Sequence, residues 1–135
     1  MISQLKHSIL LEGGTLYNPY IDKKVRGSVL ITNGLVKEVG KDLLHNNVKT
    51  INCKGKIISP GLIDMHAHFR EPGREDKETL ITGARAAFSG GFTRVCIMPN
   101  TNPPLDSPES IRYILEKSVD LPVKIFPIGA ITIGQ

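Results

Sequence analysis

The feature of this sequence that most limits its fold is a change in pattern at Ser59-Pro60-Gly61. Before these residues the chain consists of short segments with strand character. After them, strand segments alternate with amphipathic helical segments. The order strand, helix, strand, helix, strand predicts a parallel sheet, because parallel strands need crossover connections that are usually helices. The chain is therefore predicted to be an α/β protein whose N-terminal part is rich in β-strands.

The part before residue 59 predicts a small antiparallel sheet. Its clearest element is a hairpin in which residues 28–32 and 35–39 flank Asn33-Gly34. Asn-Gly favours this interpretation because it supplies the two positive φ angles of a type I′ turn. Further short strands are predicted at 7–11, 50–53 and 56–58, and one helical turn at 41–46.

The part after Gly61 predicts three strands and two helices. The strands are expected at 62–68, 93–98 and 123–130, and the helices at 75–89 and from Ser107 onward. Gly90-Gly91 is predicted to end the first helix, and Ser107-Pro108 is typical of an N-cap followed by a first helical residue. Each helix has an apolar stripe at three- to four-residue spacing. The stripes are Leu80, Ile81, Ala84, Ala87 and Phe88 in the first, and Ile111, Ile114, Leu115 and Val119 in the second.

The strand predicted at 62–68 carries polar side chains on one face and apolar side chains on the other. The polar set is Asp64, His66, His68 and Arg70, and the apolar set is Ile63, Met65, Ala67 and Phe69. A strand that precedes a crossover helix is expected to be a buried member of the sheet, where both faces are usually apolar. Polar residues at its C-terminal end therefore indicate a ligand site, because ligands bind at that end of parallel sheets.

His66 and His68 are candidate metal ligands. Two histidines spaced by two residues on a strand can bind one ion from the same side, and imidazole suits zinc and other late divalent metals. A catalytic zinc usually has three protein ligands, so further ligands must come from elsewhere. Asp64 is predicted to orient one of the ligands by a hydrogen bond. The alternatives are two surface or core histidines, and an Asp64 carboxylate paired with a Lys or Arg.

Arg70 and Asn100 are candidate substrate-binding residues. The Arg70 guanidinium suits a carboxylate or phosphate, and its alternative is an ion pair with Glu71 or Glu75. Asn100 follows the second strand, at the same edge of the sheet, and its amide can both donate to and accept from a planar substrate group. Its alternative is an Asx turn ahead of the prolines.

Charge, hydropathy and cysteine content exclude several classes of protein. The net charge is +4, but the basic residues are spread thinly and lack interleaved aromatics, which argues against nucleic-acid binding. No apolar run approaches the roughly 18 residues of a membrane span. The two cysteines, Cys53 and Cys96, cannot form a disulfide framework. With no secretion pattern, they predict a cytoplasmic location.

The segment PGLIDMHAHFREPG at 60–73 resembles the first-strand signature of the amidohydrolase superfamily in its dihydroorotase version. GGFT at 90–93 and MPNTNP at 98–103 resemble the second-strand region of the same family. The resemblance implies a small β-sandwich beside a metal-dependent (β/α)₈ TIM barrel. On this basis residues 1–58 are predicted to be part of the β-sandwich, and residues 59–135 the first three βα units of the barrel.

The resemblance also implies an activity and a set of roles. His66 and His68 would bind Zn²⁺, one or two ions per complete site, and His68, Arg70 and Asn100 would contact substrate. The reaction would be the reversible conversion of L-dihydroorotate and N-carbamoyl-L-aspartate in pyrimidine biosynthesis, with the metal polarising the ring amide carbonyl. Hydantoinases, dihydropyrimidinases and allantoinases share the His-x-His strand. Arg70 favours dihydroorotase, because neutral rings such as hydantoins offer no group for a guanidinium to bind.

Two further interpretations of the chain remain open at this point. One is a non-catalytic, dihydroorotase-like scaffold for aspartate transcarbamoylase, and the second is an independent domain with incidental histidines. The predicted partners are a small-molecule substrate, no nucleic acid and no membrane, with a homodimer or aspartate transcarbamoylase as candidate assemblies.

The resemblance further implies a bridging carboxylated lysine or aspartate, two more histidine ligands and an aspartate general acid/base on later strands. No residue among the 135 fills these roles. A closed barrel needs roughly 250 residues. The chain is therefore expected to be an N-terminal fragment with no catalytic residue of its own and no activity alone.

Overall fold

The computed structural model describes residues 8–134. It divides the chain into two units, Met1–Pro60 and Gly61–Gln135. Within residues 8–134, each unit contains its own β-sheet, the first of five strands and the second of three. The strand predicted at 7–11 is present from Ser8 onward as the start of a longer strand, and His7 lies outside the described residues.

The N-terminal unit consists of one mixed sheet. Its strands are β1 (Ser8–Asn18), β2 (Lys23–Thr32), β3 (Leu35–Gly40), β4 (Lys49–Asn52) and β5 (Ile57–Ile58). The order is β3-β2-β1-β4, and β5 also pairs with β1. β2 runs antiparallel to both β1 and β3, but β4 and β5 run parallel to β1. The prediction of a purely antiparallel sheet is therefore wrong, because the chain crosses over after β3 instead of returning by a hairpin.

The hairpin between β2 and β3 lies where Asn33-Gly34 predicts it, whereas the segment that follows β3 differs from the prediction. Asn33 and Gly34 have φ angles of 51° and 76°, as a type I′ turn requires, and Thr32 pairs with Leu35. The helical turn predicted at 41–46 is absent, since these residues form an irregular connection.

The C-terminal unit has the predicted alternation of strands and helices. Its elements are β6 (Leu62–Ala67), α1 (Leu80–Ser89), β7 (Phe92–Ile97), α2 (Pro108–Lys117) and β8 (Lys124–Pro127). The strands are parallel in the order β6-β7-β8, which confirms the parallel sheet. Neither helix described between residues 8 and 134 is long and apolar enough to cross a membrane.

β6 is an edge strand of the described sheet, so the prediction that it is buried is wrong for this part of the chain. Leu62, Ile63 and Met65 are 51%, 54% and 75% exposed. The buried apolar side chains come instead from the central strand β7, through Val95 and Ile97. Polar side chains on an exposed edge strand are ordinary, so burial of β6 no longer argues for a ligand site. The argument for a ligand site rests on the geometry of these side chains.

α1 begins at Leu80, five residues later than predicted. Thr79 is its N-cap, and the side chains of Thr79 and Thr82 each accept a hydrogen bond from the other residue's backbone N–H. Glu75, predicted to start the helix, instead accepts from the Gly73 N–H. Gly90 ends the helix as predicted. In the predicted stripe Leu80 and Ala84 are buried, whereas Ile81 and Phe88 are 51% and 61% exposed.

α2 begins as predicted, with Ser107 as N-cap and Pro108 in the first turn. Ile114 is its buried residue, while Leu115 and Val119 are 47% and 76% exposed. β8 is shorter than the predicted 123–130. After Pro127 the chain turns onto the loop that follows β7, where the Ala130 N–H donates to the Leu105 carbonyl at 2.8 Å.

One apolar core lies between the parallel sheet and its two helices. The buried members are Phe69, Leu80, Ala84, Val95, Ile97, Leu105, Ile114, Val123 and Ile125. Phe69 comes from the loop after β6 and packs on Gly83 of α1, where an added Cβ would lie 2.7 Å from the Phe69 Cζ. The core thus reaches up to the loop at the C-terminal end of β6.

Candidate functional site

The side chains of His66 and His68 converge at the C-terminal end of β6. Their Nε2 atoms are 3.2 Å apart, and the rings meet edge to face at 61°. Two imidazole nitrogens bound tetrahedrally to one zinc ion at the usual bond length would be about 3.3 Å apart. The two histidines are therefore placed as two ligands of a single metal ion would be.

Asn100 determines which nitrogen of His68 is free. The His68 Nδ1 lies 2.8 Å from the Asn100 Oδ1. Because an amide oxygen can only accept, Nδ1 carries the hydrogen and donates it. The lone pair of Nε2 is then available to a metal, which is how metal-binding histidines are usually oriented. Asn100 follows β7, so this contact joins the ends of two neighbouring strands.

Asp64 acts on the backbone of the candidate metal ligand His66. Its Oδ1 accepts the His66 backbone N–H at 2.9 Å. The carboxylate therefore restrains the chain just before the histidine pair. The ion pairs found between described residues do not include Asp64.

Arg70 is exposed and lies two residues after His68. The two carboxylates considered as its ion-pair partners are engaged elsewhere: Glu71 pairs with Lys117, and Glu75 accepts from the backbone at Gly73. Within residues 8–134, no ion pair is formed by the Arg70 guanidinium. It is therefore available to an anionic group of a ligand.

Glu71 is a buried residue of this region that the sequence suggested only as a partner of Arg70. It is 3% exposed. Its Oε2 accepts the Leu80 N–H at 2.8 Å, and its Oε1 accepts from the Lys117 ammonium and from the Tyr113 hydroxyl. The sequence signal was its spacing from Phe69, which places both side chains on the inner side of the loop.

The environment of Glu71 stabilises its charged form. Burial alone raises the pKa of the Glu71 carboxyl, but the hydrogen bonds from Lys117, the Leu80 N–H and Tyr113 outweigh burial, so the pKa is lowered. The hydrogen bond to Glu71, assisted by Tyr113, raises the pKa of Lys117. Both groups are therefore charged at neutral pH.

The loops after β6 and β7 are in close contact. The Asn102 N–H donates to the Pro72 carbonyl at 3.0 Å. At Gly73, φ is +98° and an added Cβ would lie 2.0 Å from the Asn102 carbonyl oxygen. Glycine is required here both by this φ angle and by the approach of the second backbone.

The described residues supply part of a metal site. Across residues 8–134, no group of three or more His, Cys, Asp and Glu side chains is placed to hold a metal ion. His45 lies in the N-terminal unit with its Nε2 2.9 Å from Glu38. His66 and His68 fit a metal as two of its ligands, with the tautomer of His68 already selected.

Comparison with protein families gives a match over residues 55–135 to a family described as Dihydro-orotase-like. A dihydroorotase of Trichlorobacter lovleyi is 45% identical over 130 residues, which is 95% of this chain and 31% of that protein. A dihydroorotase of Caldicellulosiruptor saccharolyticus is 40% identical over 129 residues, 93% of this chain and 30% of that protein. The chain thus spans about a third of the length of these curated relatives.

Solved structures with a similar fold include an L-hydantoinase (dihydropyrimidinase) from Arthrobacter aurescens. Its TM-score is 0.81 at 22% identity, covering 90% of this chain and 27% of that one. A D-hydantoinase matches with a TM-score of 0.70 at 22% identity, covering 94% of this chain and 28% of that one. At these identities the likeness establishes the fold.

Proposed function

The chain belongs to the dihydroorotase-like family, and from this premise we propose that the complete protein is a metal-dependent hydrolase of cyclic amides. The proposed reaction is the reversible conversion of L-dihydroorotate and N-carbamoyl-L-aspartate. The observation that supports it most is the pair of Nε2 atoms 3.2 Å apart on His66 and His68, with the exposed Arg70 two residues further along the chain.

His66 and His68 would hold a zinc ion through their Nε2 atoms, with further ligands from elsewhere in the complete protein. Asn100 would keep His68 in the tautomer that leaves Nε2 free, through the 2.8 Å contact with Nδ1. Asp64 would hold the His66 backbone through its 2.9 Å hydrogen bond. Zinc, when bound, supplies Lewis-acid chemistry that polarises an amide carbonyl and eases deprotonation of water.

Arg70 would bind the carboxylate of the substrate. A guanidinium and a carboxylate can form two parallel charge-assisted hydrogen bonds, and this geometry would orient the ring over the histidine pair. Asn100 accepts from His68 through Oδ1, so its amide N–H groups remain to donate to the same substrate. His68 would contact substrate as well as metal.

A second candidate is a cyclic amidohydrolase that acts on neutral rings. It is favoured by solved neighbours such as the dihydropyrimidinase from Brevibacillus agri, with a TM-score of 0.66 and 26% identity. Arg70, which forms no ion pair within residues 8–134, favours a substrate with a carboxylate, because hydantoin and dihydrouracil carry none. A non-catalytic scaffold for aspartate transcarbamoylase would have no need for the pairing of His66 and His68.

Membership of the dihydroorotase-like family also supports a proposal for the domain architecture of the complete protein. We interpret 59–135 as the start of a (β/α)₈ barrel, with the first two βα units and the third strand in place of the three full units predicted, and 1–58 as part of a β-sandwich. A cytoplasmic location, a homodimer and an association with aspartate transcarbamoylase stay predictions.

The test compares substrates on the complete protein supplied with zinc. Hydrolysis of L-dihydroorotate, hydantoin and dihydrouracil is followed under the same conditions, and we expect dihydroorotate to give the highest kcat/KM. Preference for either neutral ring would favour the second candidate. No turnover of any ring by zinc-loaded protein would favour the scaffold.

A further inference from the structure

The loop after β6 alternates buried and exposed side chains around Arg70. Phe69 is 6% exposed and Glu71 is 3% exposed, whereas His68 and Arg70 are exposed. Burial and exposure thus alternate from residue 68 to residue 71, as expected where side chains alternate sides along an extended segment. The position of Arg70 is therefore set by the residues on both sides of it.

The Glu71 carboxylate ties this loop to both helices. Its Oε2 accepts the N–H of Leu80, the first residue of α1, at 2.8 Å. Its Oε1 accepts from Tyr113 at 3.2 Å and from Lys117, both on α2. Lys117 also donates to the Tyr113 hydroxyl at 2.9 Å. One side chain thus connects the substrate-facing loop to residues outside the site.

The two partners of the ion pair differ in exposure. The Glu71 side chain is 4% exposed, and the Lys117 side chain is 53% exposed. Loss of Lys117 would leave a buried carboxylate without its cation, and a buried charge in that situation is costly. The loop would then move the carboxylate toward water, and Arg70 would move with it because it is the adjacent residue.

We propose that Glu71 and Lys117 are positioning residues that hold Arg70 in place for the substrate carboxylate. Lys117, the last residue of α2, would then affect substrate affinity without contacting substrate. This inference rests on the proposed function. It adds the residues that hold Arg70, the proposed substrate-binding arginine, in position.

The test is a double-mutant cycle between Lys117 and Arg70 in the complete protein. Lys117→Met is expected to raise the KM for dihydroorotate about three- to tenfold, because misplacing a group that binds substrate weakens its contact with that substrate. Zinc content and kcat should stay within about twofold of wild type. In the Arg70→Met background, Lys117→Met should leave the KM unchanged, because the residue through which it acts is gone.

Three further variants separate positioning from general destabilisation. Arg112→Met, an exposed change on the same helix, should behave as wild type. Lys117→Arg, which keeps the cation, should restore a wild-type KM. If Lys117→Met does not fold, Tyr113→Phe replaces it in the test. This milder change removes one hydrogen-bond donor to Glu71, and it should also raise the KM.

The possible results distinguish failure of the positioning role of Glu71 and Lys117 from failure of the proposed hydrolase function. A Lys117→Met protein with a lowered melting temperature and a wild-type KM would overturn the positioning role alone, as would an undiminished effect of Lys117→Met in the Arg70→Met background. Absence of dihydroorotate hydrolysis by the zinc-loaded wild-type protein would overturn both.

Discussion

Removing the side-chain oxygen of Asn100 should weaken metal binding by the histidine pair. In the structure this oxygen lies 2.8 Å from the His68 Nδ1, and it keeps the imidazole in the tautomer whose Nε2 can bind a metal. Asn100→Ala removes the acceptor while leaving both histidines intact. The His68 ring is then free to rotate and to exchange tautomers, so part of the binding free energy is used to order it.

The size of the effect follows from the contact and its exposure. Loss of a partner that orients a metal-bound imidazole typically lowers metal affinity about 10–100-fold. Both His68 and Asn100 are exposed, so water can replace the lost acceptor in part. We therefore expect the lower end, about tenfold weaker zinc binding, which corresponds to about 1.4 kcal/mol.

The assay is competition for zinc between the complete protein and a chromogenic chelator, which reads metal affinity independently of turnover. Asn100→Asp keeps an acceptor and should retain wild-type affinity or exceed it. Asn102→Ala, in the same loop, is the matched control and should bind zinc as wild type does. Zinc affinity of Asn100→Ala within about twofold of wild type would refute the orienting role of Asn100.

Three more predictions concern substrate, completeness and pH. Arg70→Met in the complete protein should raise the KM for dihydroorotate by about tenfold or more, because a charge-assisted contact is lost, with unchanged zinc content; an unchanged KM would refute the assignment. The isolated chain of 135 residues should bind zinc weakly and hydrolyse no dihydroorotate, since its described residues supply two ligands of one ion; turnover near that of the complete protein would contradict this. The pKa of Glu71 is lowered in the folded state, so its contribution to stability is present above the ordinary glutamate pKa and is lost as the pH falls through that range to the lowered value. Thermal unfolding of wild type and Glu71→Gln across this range should show the difference between them shrinking at low pH.

The elements that could be predicted from the sequence are those whose signals are local. Asn33-Gly34 is enough to define a hairpin turn, and Ser107-Pro108 is enough to start a helix, because each acts through its own backbone and nearest neighbours. The parallel pairing of β4 with β1 was missed, since residues 49–52 carry no signal for strand direction. The late start of α1 was missed because Thr79 and Thr82 cap it, while the apolar stripe on which the prediction was based does not mark a first helical residue.

The features of the candidate site also differ in whether a local sequence pattern predicts them. The spacing of His66 and His68 predicts two rings on one side of a strand, and the structure places them there. The contact between His68 and Asn100 depends on how β6 is registered against β7, which no local pattern encodes. The role of Glu71 depends on α2 packing against the loop 46 residues earlier in the chain, so it became visible with the tertiary structure.

The approach of Gly73 to Asn102 has a consequence for how this site can vary. Gly73 has no side chain to contact substrate or metal, yet any larger residue there would overlap the backbone of the loop that carries Asn100. A random mutagenesis screen scored by activity should therefore identify position 73 together with the histidines. Shortening or lengthening either loop by one residue should fail in that screen too, because the two backbones would no longer meet at the position without a Cβ.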